Sequence, residues 1–247
     1  MRANADNAIL MQASVEEGPG MGGQGRAILM SESTENYIKA IQTLELRYGQ
    51  ASTNEIARAL SVTMPSVTRM VKRLAAEGLI EHEPYRGAVL SEKGRRFANA
   101  VLRRHRLIEL FLHQVLSVPW DEVHEYADRL EHAIGDDLTG KIDAFLGYPD
   151  HDPHGSRIPR ADASALTIQG IALDQVESGS RVRLLEVPDE DSELLRLLDS
   201  WKLGIGSVVL VEDNSRLLDA VTLRTEFAQV ALGRRVASLI RVERVES

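Results

Sequence analysis

The apolar positions in the first part of the chain recur at helical spacing. One face of a helix predicted over residues 31–48 is formed by Tyr37, Ile41, Leu44 and Tyr48. Residues 52–55 read Ser-Thr-Asn-Glu, which is the pattern of a capping box, and they predict the start of a short second helix. Met64-Pro65 opens a third helix, because proline is tolerated in a first helical turn. Its predicted buried stripe consists of Val67, Met70, Val71 and Leu74, and Gly78 ends it.

A β-hairpin and three further helices are predicted next. Residues 79–83 and 88–90 are short strands around a turn at 84–87. Ser91 caps a long helix that runs to about Leu116, and two more helices are expected over about 119–134 and 136–146. Helix, turn, helix and hairpin in this order are the plan of a winged helix-turn-helix.

The pattern changes after residue 148. Three prolines and few apolar residues between 148 and 159 indicate a linker. Short strands follow around 182–184, 208–210, 221–223 and 239–242, with one helix near 192–198. The predicted fold is a mainly α N-terminal part followed by a small β-rich domain. The predicted boundaries are a disordered extension at 1–30, the winged helix-turn-helix at 31–93, a helical domain at 94–149, the linker at 150–165 and the β-rich domain at 166–247.

Composition narrows the class of protein. The chain has 247 residues and no cysteine, which excludes disulfides and thiolate metal ligands. It shows neither an apolar run long enough for a membrane span nor a secretory signal, so we expect a cytoplasmic protein without a membrane partner. The sequence leaves open whether residues 1–30 are native, because Met30 is a second candidate start.

The positive charge is concentrated in one region, although the net charge of the chain is −8. Residues 58–106 contain eleven lysines and arginines against four acids, a local excess of +7. Phosphates respond to such local charge, because salt screens interactions beyond roughly 8–10 Å. This region contains the predicted winged helix-turn-helix, which favours nucleic-acid binding over an ordinary solvated surface.

The third helix is the predicted recognition helix. Hydroxyl and cationic side chains that can meet phosphates or base edges lie opposite its buried stripe; they are Thr63, Ser66, Thr68, Arg69, Lys72 and Arg73. Pro65 is expected to pack on a thymine methyl group. Arg86, at the tip of the hairpin, is expected to reach a flanking phosphate.

Histidines and acids on the two following helices are candidate metal ligands. His105 and Glu109 are four residues apart on the long helix, and His124, Asp128 and His132 repeat this spacing on the next one, with Glu131 beside them. Each pair alone is more often a solvated ion pair, but their combination favours a metal site. Nitrogen and oxygen donors suit Mn²⁺ and Fe²⁺. The other histidines, His82, His113, His151 and His154, have no comparable partners and are interpreted as surface or packing residues.

Over residues 33–160 the sequence resembles the diphtheria-toxin-repressor family of iron- and manganese-dependent regulators. The resemblance rests on segments of helices one, three, four and five; they are Ser33-Thr34-Glu35-Asn36-Tyr37-Ile38, Met64-Pro65-Ser66-Val67-Thr68, Arg104-His105-Arg106-Leu107-Ile108-Glu109, Val123-His124 and Glu131-His132. The segment from about residue 166 is similar, more loosely, to the SH3-like domain of the longer members.

The resemblance implies two metal sites and a homodimer. The implied primary site consists of Asn36, Asp128, Glu131 and His132. The implied ancillary site consists of His105, Glu109 and His124, with Asp189 or its neighbour Glu190 from the C-terminal domain. It also implies that Thr63, Pro65, Ser66, Thr68 and Arg69 meet DNA, and that the two helices after the wing form the dimer.

Two positions depart from the iron-type pattern. Asn36 stands where that pattern has methionine and the manganese-type pattern has aspartate, and Asp128 stands where the iron-type pattern has cysteine. A site with only oxygen and nitrogen donors favours Mn²⁺. Fe²⁺ also fits, and other divalent ions are expected to substitute in vitro.

The sequence therefore predicts a divalent-metal-activated repressor, not an enzyme, that controls metal-uptake genes and binds a palindromic operator without an organic cofactor. Metal is expected to link the first helix to the dimer-forming helices. Without metal, the contact between them should be looser. The alternative is a metal-independent winged-helix regulator that responds to an organic ligand. A metalloenzyme is a further alternative, but the sequence has neither a His-Glu-x-x-His motif nor a nucleophile elbow.

Overall fold

A computed structural model describes residues 31–83, 87–160 and 166–245. The predicted extension at residues 1–30, with its candidate start at Met30, lies outside these residues. So does the predicted phosphate contact of Arg86.

Three short helices form the beginning of the described chain. They are α1 (Glu32–Tyr48), α2 (Thr53–Ala59) and α3 (Met64–Ala76). Ser31 caps α1, and the predicted capping box is present, because Ser52 and Glu55 each bind the backbone N–H of the other. Val67, Val71 and Leu74 of α3 are buried as predicted, whereas Met70 is only half-buried. These helices therefore begin and end close to where the pattern placed them.

The predicted hairpin follows as strands β1 (Ile80–Glu83) and β2 (Gly87–Leu90), paired antiparallel with Ile80 opposite Leu90. Glu45 of α1 holds the end of the hairpin, because one of its carboxylate oxygens accepts a hydrogen bond from the backbone N–H of Leu90 at 2.9 Å. Its other oxygen accepts from the Arg95 guanidinium at 2.7 Å. The hairpin is thus held to both α1 and the next helix.

Helices α4 (Glu92–Leu116), α5 (Val123–Leu130) and α6 (Asp136–Phe145) complete the helical part. Ser91 caps α4 as expected. The prediction of a single helix over 119–134 was wrong: α5 has only eight residues and Glu131 is its C-cap. Glu131 and His132 keep helical spacing past the end of the helix, so spacing alone could not show where it stops.

The segment 150–160, predicted as part of a linker, is folded against its neighbours. Asp152 accepts hydrogen bonds from the backbone N–H groups of His154 and Ser156 at 2.8 and 3.0 Å. The carbonyl of His154 accepts from the backbone N–H of Val187, at 3.0 Å, in the C-terminal part. Asp152, His154, Ser156 and Ile158 are buried.

The C-terminal part is one antiparallel sheet with strand order β3-β8-β4-β5-β6-β7. Its strands are β3 (Ile171–Ala172), β4 (Arg181–Glu186), β5 (Val208–Ser215), β6 (Ala220–Arg224), β7 (Gln229–Gly233) and β8 (Arg241–Arg244), with helices α7 (Ser192–Ser200) and α8 (Arg234–Ala237). Alternate strand residues such as Val182, Leu184, Val209 and Val211 form its core with Leu195. Helical domains followed by a small β-rich domain confirm the predicted fold class. Among the described residues, every helix is too short or too polar to span a membrane.

Candidate metal centre

His105, on α4, lies at the centre of a buried group of acids and histidines. Its Nδ1 is 2.6 Å from Glu131 Oε2, and its Nε2 is 3.0 Å from Glu109 Oε1. The helix places Glu109 one turn after His105, whereas Glu131 comes from the end of α5. All three side chains are almost completely inaccessible to solvent.

His124 connects this group to the C-terminal domain. Its Nδ1 is 3.2 Å from Glu109 Oε1 and 4.0 Å from Asp189 Oδ2. Ligand atoms of His105, Glu109, His124 and Asp189 all lie within 4.8 Å of one another. The structure thus brings together the four residues that the resemblance assigned to an ancillary site, while the neighbouring Glu190 is exposed.

A second group of possible ligands contains two residues that the sequence analysis missed. Asp152 and His154 lie with Glu109 and Asp189 in a cluster whose ligand atoms are also within 4.8 Å of one another. The interpretation of His154 as a histidine without comparable partners was therefore wrong. A signal was present, because Asp-Pro-His-Gly at 152–155 places an acid and an imidazole two residues apart. It could not be interpreted without the fold that brings Glu109 to it.

A third group lies toward α1. Asp128 and Glu131 join His105, again with ligand atoms within 4.8 Å of one another. Lys39 of α1 reaches the same carboxylates, with its Nζ 2.7 Å from Asp128 Oδ1 and 3.1 Å from Glu131 Oε1. The sequence pattern did not indicate a role for Lys39 in the site, since a lysine on a helix is usually a solvated residue.

The remaining predicted ligands of the primary site lie next to these clusters. His132 Nδ1 is 2.7 Å from Glu35 Oε2, and its Nε2 is 3.6 Å from Glu131 Oε1. Glu35 also accepts from the Arg104 guanidinium at 2.8 Å. Asn36 lines the same cavity as His132 and Asp128. A carboxylate on one imidazole nitrogen fixes the ring and leaves the other nitrogen for a ligand.

A cleft of about 1020 Å³ lies between the helical part and the C-terminal domain, and its lining includes Asn36, Lys39, His105, His124, Asp128, His132 and Asp189. Its wall includes α1, α4 and α5 on one side and residues 186–190 on the other. An ion held by His105, Glu109, His124 and Asp189 would contact both halves of the described chain.

Proximity of opposite charges changes the proton affinities in the cleft. Burial opposes protonation of His105, but Glu109 and Glu131 outweigh it and raise its pKa to about 10. Burial by itself would raise the pKa of Glu109, yet His105 holds that pKa well below its ordinary value. For His124, the Glu109 hydrogen bond and the Asp189 charge outweigh burial and raise the pKa. Protons and metal ions would therefore compete for these imidazoles.

Several buried atoms that could ligate a metal form no hydrogen bond, which tests whether the residues fit a metal. Glu109 Oε2, Asp152 Oδ2 and His154 Nδ1 are buried and form no hydrogen bond within the described ranges, although Arg106 Nε lies 3.4 Å from Asp152 Oδ2. His154 Nε2 donates to the carbonyl of Trp120 at 2.8 Å, so Nδ1 carries a free lone pair. Unsatisfied buried polar atoms are costly unless an ion or water completes them. The donor set therefore fits a divalent cation with oxygen and nitrogen ligands.

The predicted recognition helix presents its polar face to solvent. Thr63, Pro65, Thr68, Arg69, Lys72 and Arg73 are exposed, and Ser66 is half-buried. Arg73 is paired with Glu77 at 2.8 Å. In the described part of the chain, Arg69 and Lys72 have no acidic partner, which leaves both cations available to phosphates or bases.

Three family profiles match successive parts of the chain. The N-terminal DNA binding domain of the iron dependent repressors matches residues 29–88, and their metal binding and dimerisation domain matches residues 91–160. The FeoA domain matches residues 171–244.

Individual relatives agree with these profiles. The iron-dependent repressor IdeR of Mycobacterium leprae is 31% identical over 226 residues, which cover 87% of this chain and 98% of that protein. Among solved structures, a manganese-dependent transcriptional repressor in complex with manganese has a TM-score of 0.78 and 33% identity, covering 86% of this chain and all of that one. The manganese regulator SloR has a TM-score of 0.77 and 33% identity, covering 87% of this chain and all of that one.

Proposed function

The chain belongs to the family of iron-dependent repressors, and from this premise we propose that it is a DNA-binding transcriptional repressor activated by a divalent metal. One observation carries the proposal. Imidazoles and carboxylates from α4, α5 and the C-terminal domain line a single cleft beside α1. Asp152 and His154 of the 150–160 segment cluster with Glu109 and Asp189 next to it. The same α1 packs against the helices and hairpin that would read DNA. Metal capture and DNA recognition therefore share one helix.

Mn²⁺ is the proposed physiological metal. The chain has no cysteine, and the candidate ligands offer only oxygen and nitrogen, a set that suits a hard divalent ion. Fe²⁺ is compatible with the same donors, and the relatives include both iron-dependent and manganese-dependent repressors. Metal analysis of protein purified from its own cells would separate the two ions.

We assign the ligands to two adjoining sites. The primary site is proposed to use Asn36, Asp128, Glu131 and His132. The ancillary site is proposed to use His105, Glu109, His124 and Asp189, and the clustering of Asp152 and His154 with Glu109 supports adding them. A bound cation would supply the positive charge that joins these carboxylates, and in the primary site it would link Asn36 of α1 to the end of α5.

DNA recognition is assigned to the exposed face of α3, where Arg69 and Lys72 have no acidic partner among the described residues. The protein is proposed to act as a homodimer on a palindromic operator, with one α3 in each half-site. If metal favours the correct spacing of the two helices, a coupling of about 1–3 kcal/mol would change operator affinity roughly 5–150-fold. We expect the protein to act in the cytoplasm, and its proposed targets are metal-uptake genes. Excess metal would then stop its own import.

A gel shift with operator DNA tests the proposal. The wild-type protein should bind more tightly with Mn²⁺ than with a chelator, and His132→Ala should lose this difference. His113→Ala is a matched control, because His113 is exposed and, among the described residues, its side chain hydrogen-bonds only to the Val118 carbonyl, at 2.9 Å. Equal binding by wild type and His132→Ala, with or without metal, would contradict the proposal. It would favour a regulator that responds to an organic ligand.

A further inference from the structure

Lys39 places a positive charge among the carboxylates of the cleft. Its Nζ donates to Asp128 Oδ1 at 2.7 Å and to Glu131 Oε1 at 3.1 Å, and it lies 3.4 Å from His105 Nδ1. The Lys39 side chain is 17% exposed, and that of Glu131 is fully buried. This is a built contact rather than a chance surface pair.

Glu131 shows why a cation is needed at this position. Its Oε2 receives His105 Nδ1–H at 2.6 Å, and its Oε1 faces Lys39. A buried carboxylate without such partners costs several kcal/mol, so it requires a positive partner in every state of the protein. In the metal-free protein His105 and Lys39 provide its closest contacts, and His132 Nε2 lies 3.6 Å from Oε1.

The ammonium group and a metal ion would use the same lone pairs. Asp128 and Glu131 are proposed metal ligands, and the oxygen of each that faces α1 is the one that contacts Nζ. A divalent ion at these oxygens would lie within a few ångströms of the ammonium and repel it. Metal binding and the Lys39 contacts therefore exclude each other.

Lysine is suited to such an exchange. Its charge sits on a flexible four-carbon stem, and the cleft it lines is large enough for the side chain to swing aside. Lys39 also lies three residues after Asn36, on the same face of α1. The contacts of Lys39 with Asp128 and Glu131 thus connect α1 to α5, as the metal would.

We propose that Lys39 is an internal competitor of the metal, which holds Asp128 and Glu131 until an ion displaces it and so sets the metal concentration at which the repressor is activated. This inference rests on the proposed function. It names a residue that determines the threshold of that function rather than one that ligates the metal.

Calorimetric titration of Mn²⁺ into Lys39→Met, at fixed pH and ionic strength, tests the inference, with electron paramagnetic resonance counting bound ions. In wild type, metal must break the two charge-assisted hydrogen bonds of Lys39. Lys39→Met lacks these bonds, so Mn²⁺ should bind at this site about tenfold more tightly. The Mn²⁺ concentration needed for the operator shift should fall in parallel. Lys39→Arg keeps the charge and should remain within about threefold of wild type.

Lys141→Met is the matched control, because Lys141 pairs with Asp137 at 2.7 Å on the exposed face of α6 and its loss changes the net charge equally. If Lys39→Met unfolds, Lys39→Gln removes the charge but keeps a donor for Glu131. Unchanged or weaker Mn²⁺ binding by folded Lys39→Met, or by Lys39→Gln in its place, would overturn the inference, while metal-dependent DNA binding by wild type would leave the proposed function intact. A wild type that binds no Mn²⁺ would overturn both.

Discussion

The imidazole of His154 donates its Nε2–H to the backbone carbonyl of Trp120 at 2.8 Å, and the two rings stack with their centroids 6.0 Å apart. Because a carbonyl can only accept, this bond occupies Nε2 and leaves Nδ1 as the nitrogen available for a ligand in the cluster that His154 forms with Glu109 and Asp189. Trp120 also packs against the core of the C-terminal domain. One residue of a predicted linker thus joins both parts of the chain to the candidate metal cluster.

His154→Ala is therefore expected to weaken Mn²⁺ binding. Removing a group that merely orients a ligand typically costs roughly 10–100-fold in affinity, and loss of a ligand should cost at least as much. Equilibrium dialysis with elemental analysis would measure the change. His151→Ala, three residues away and exposed, should bind like wild type. Equal affinities of the two variants would remove His154 from the site.

Asn36→Asp should tighten Mn²⁺ binding to the primary site. The substitution keeps an oxygen donor of the same size and adds one negative charge to the cleft, which strengthens attraction to a divalent ion by up to about tenfold. Calorimetric titration would measure the affinity, and Asn54→Asp on α2 provides the same change of charge outside the cleft. Weaker binding by Asn36→Asp would show that Asn36 does not face the metal.

Binding of Mn²⁺ should become tighter as the pH rises. Glu109 and Glu131 raise the pKa of His105 to about 10, so this imidazole is protonated at neutral pH and must release its proton to accept a metal. Below that pKa, each proton displaced makes affinity increase about tenfold per pH unit. Calorimetry between about pH 6 and 8, in buffers of different ionisation enthalpy, would count the protons released.

The pH prediction has a clear control. His82→Gln changes an exposed histidine outside the cleft and should leave the slope and the proton count unchanged. A flat pH profile with no proton release by wild type would mean that His105 does not bind the ion.

Gly155→Ala should destabilise the packing of the 150–160 segment. Gly155 has φ of +86°, and a Cβ there would lie 1.9 Å from the carbonyl oxygen of Leu185. Gly179 has the same φ of +86°, but in the described structure no atom lies within 4 Å of the added Cβ. Alanine at either position pays the left-handed backbone cost of roughly 1–2 kcal/mol, and only Gly155→Ala adds the clash. Thermal unfolding without metal should show a larger loss for Gly155→Ala, and equal losses would contradict the close contact.

Much of the helical part could be predicted from the sequence, because its signals are local. Ser52 and Ser91 cap helices where the pattern placed them, and the stripe of α3 is buried at Val67, Val71 and Leu74. Capping and amphipathic spacing act over one or two turns, so each can be read from a few residues. The end of α5 was mispredicted, because Glu131 and His132 keep helical spacing beyond the last turn.

By itself the sequence determined the fold class, the polar face of α3 and the candidate ligand pairs that helical spacing places on one face, such as His105 with Glu109. Tertiary structure alone decided that Asp152 and His154 meet Glu109 and that Lys39 lies between Asp128 and Glu131. The physical reason is distance along the chain. Lys39 and Asp128 are 89 residues apart, and no local rule links their positions. Only the packing of α1 and the C-terminal domain around α4 and α5 brings these charges together.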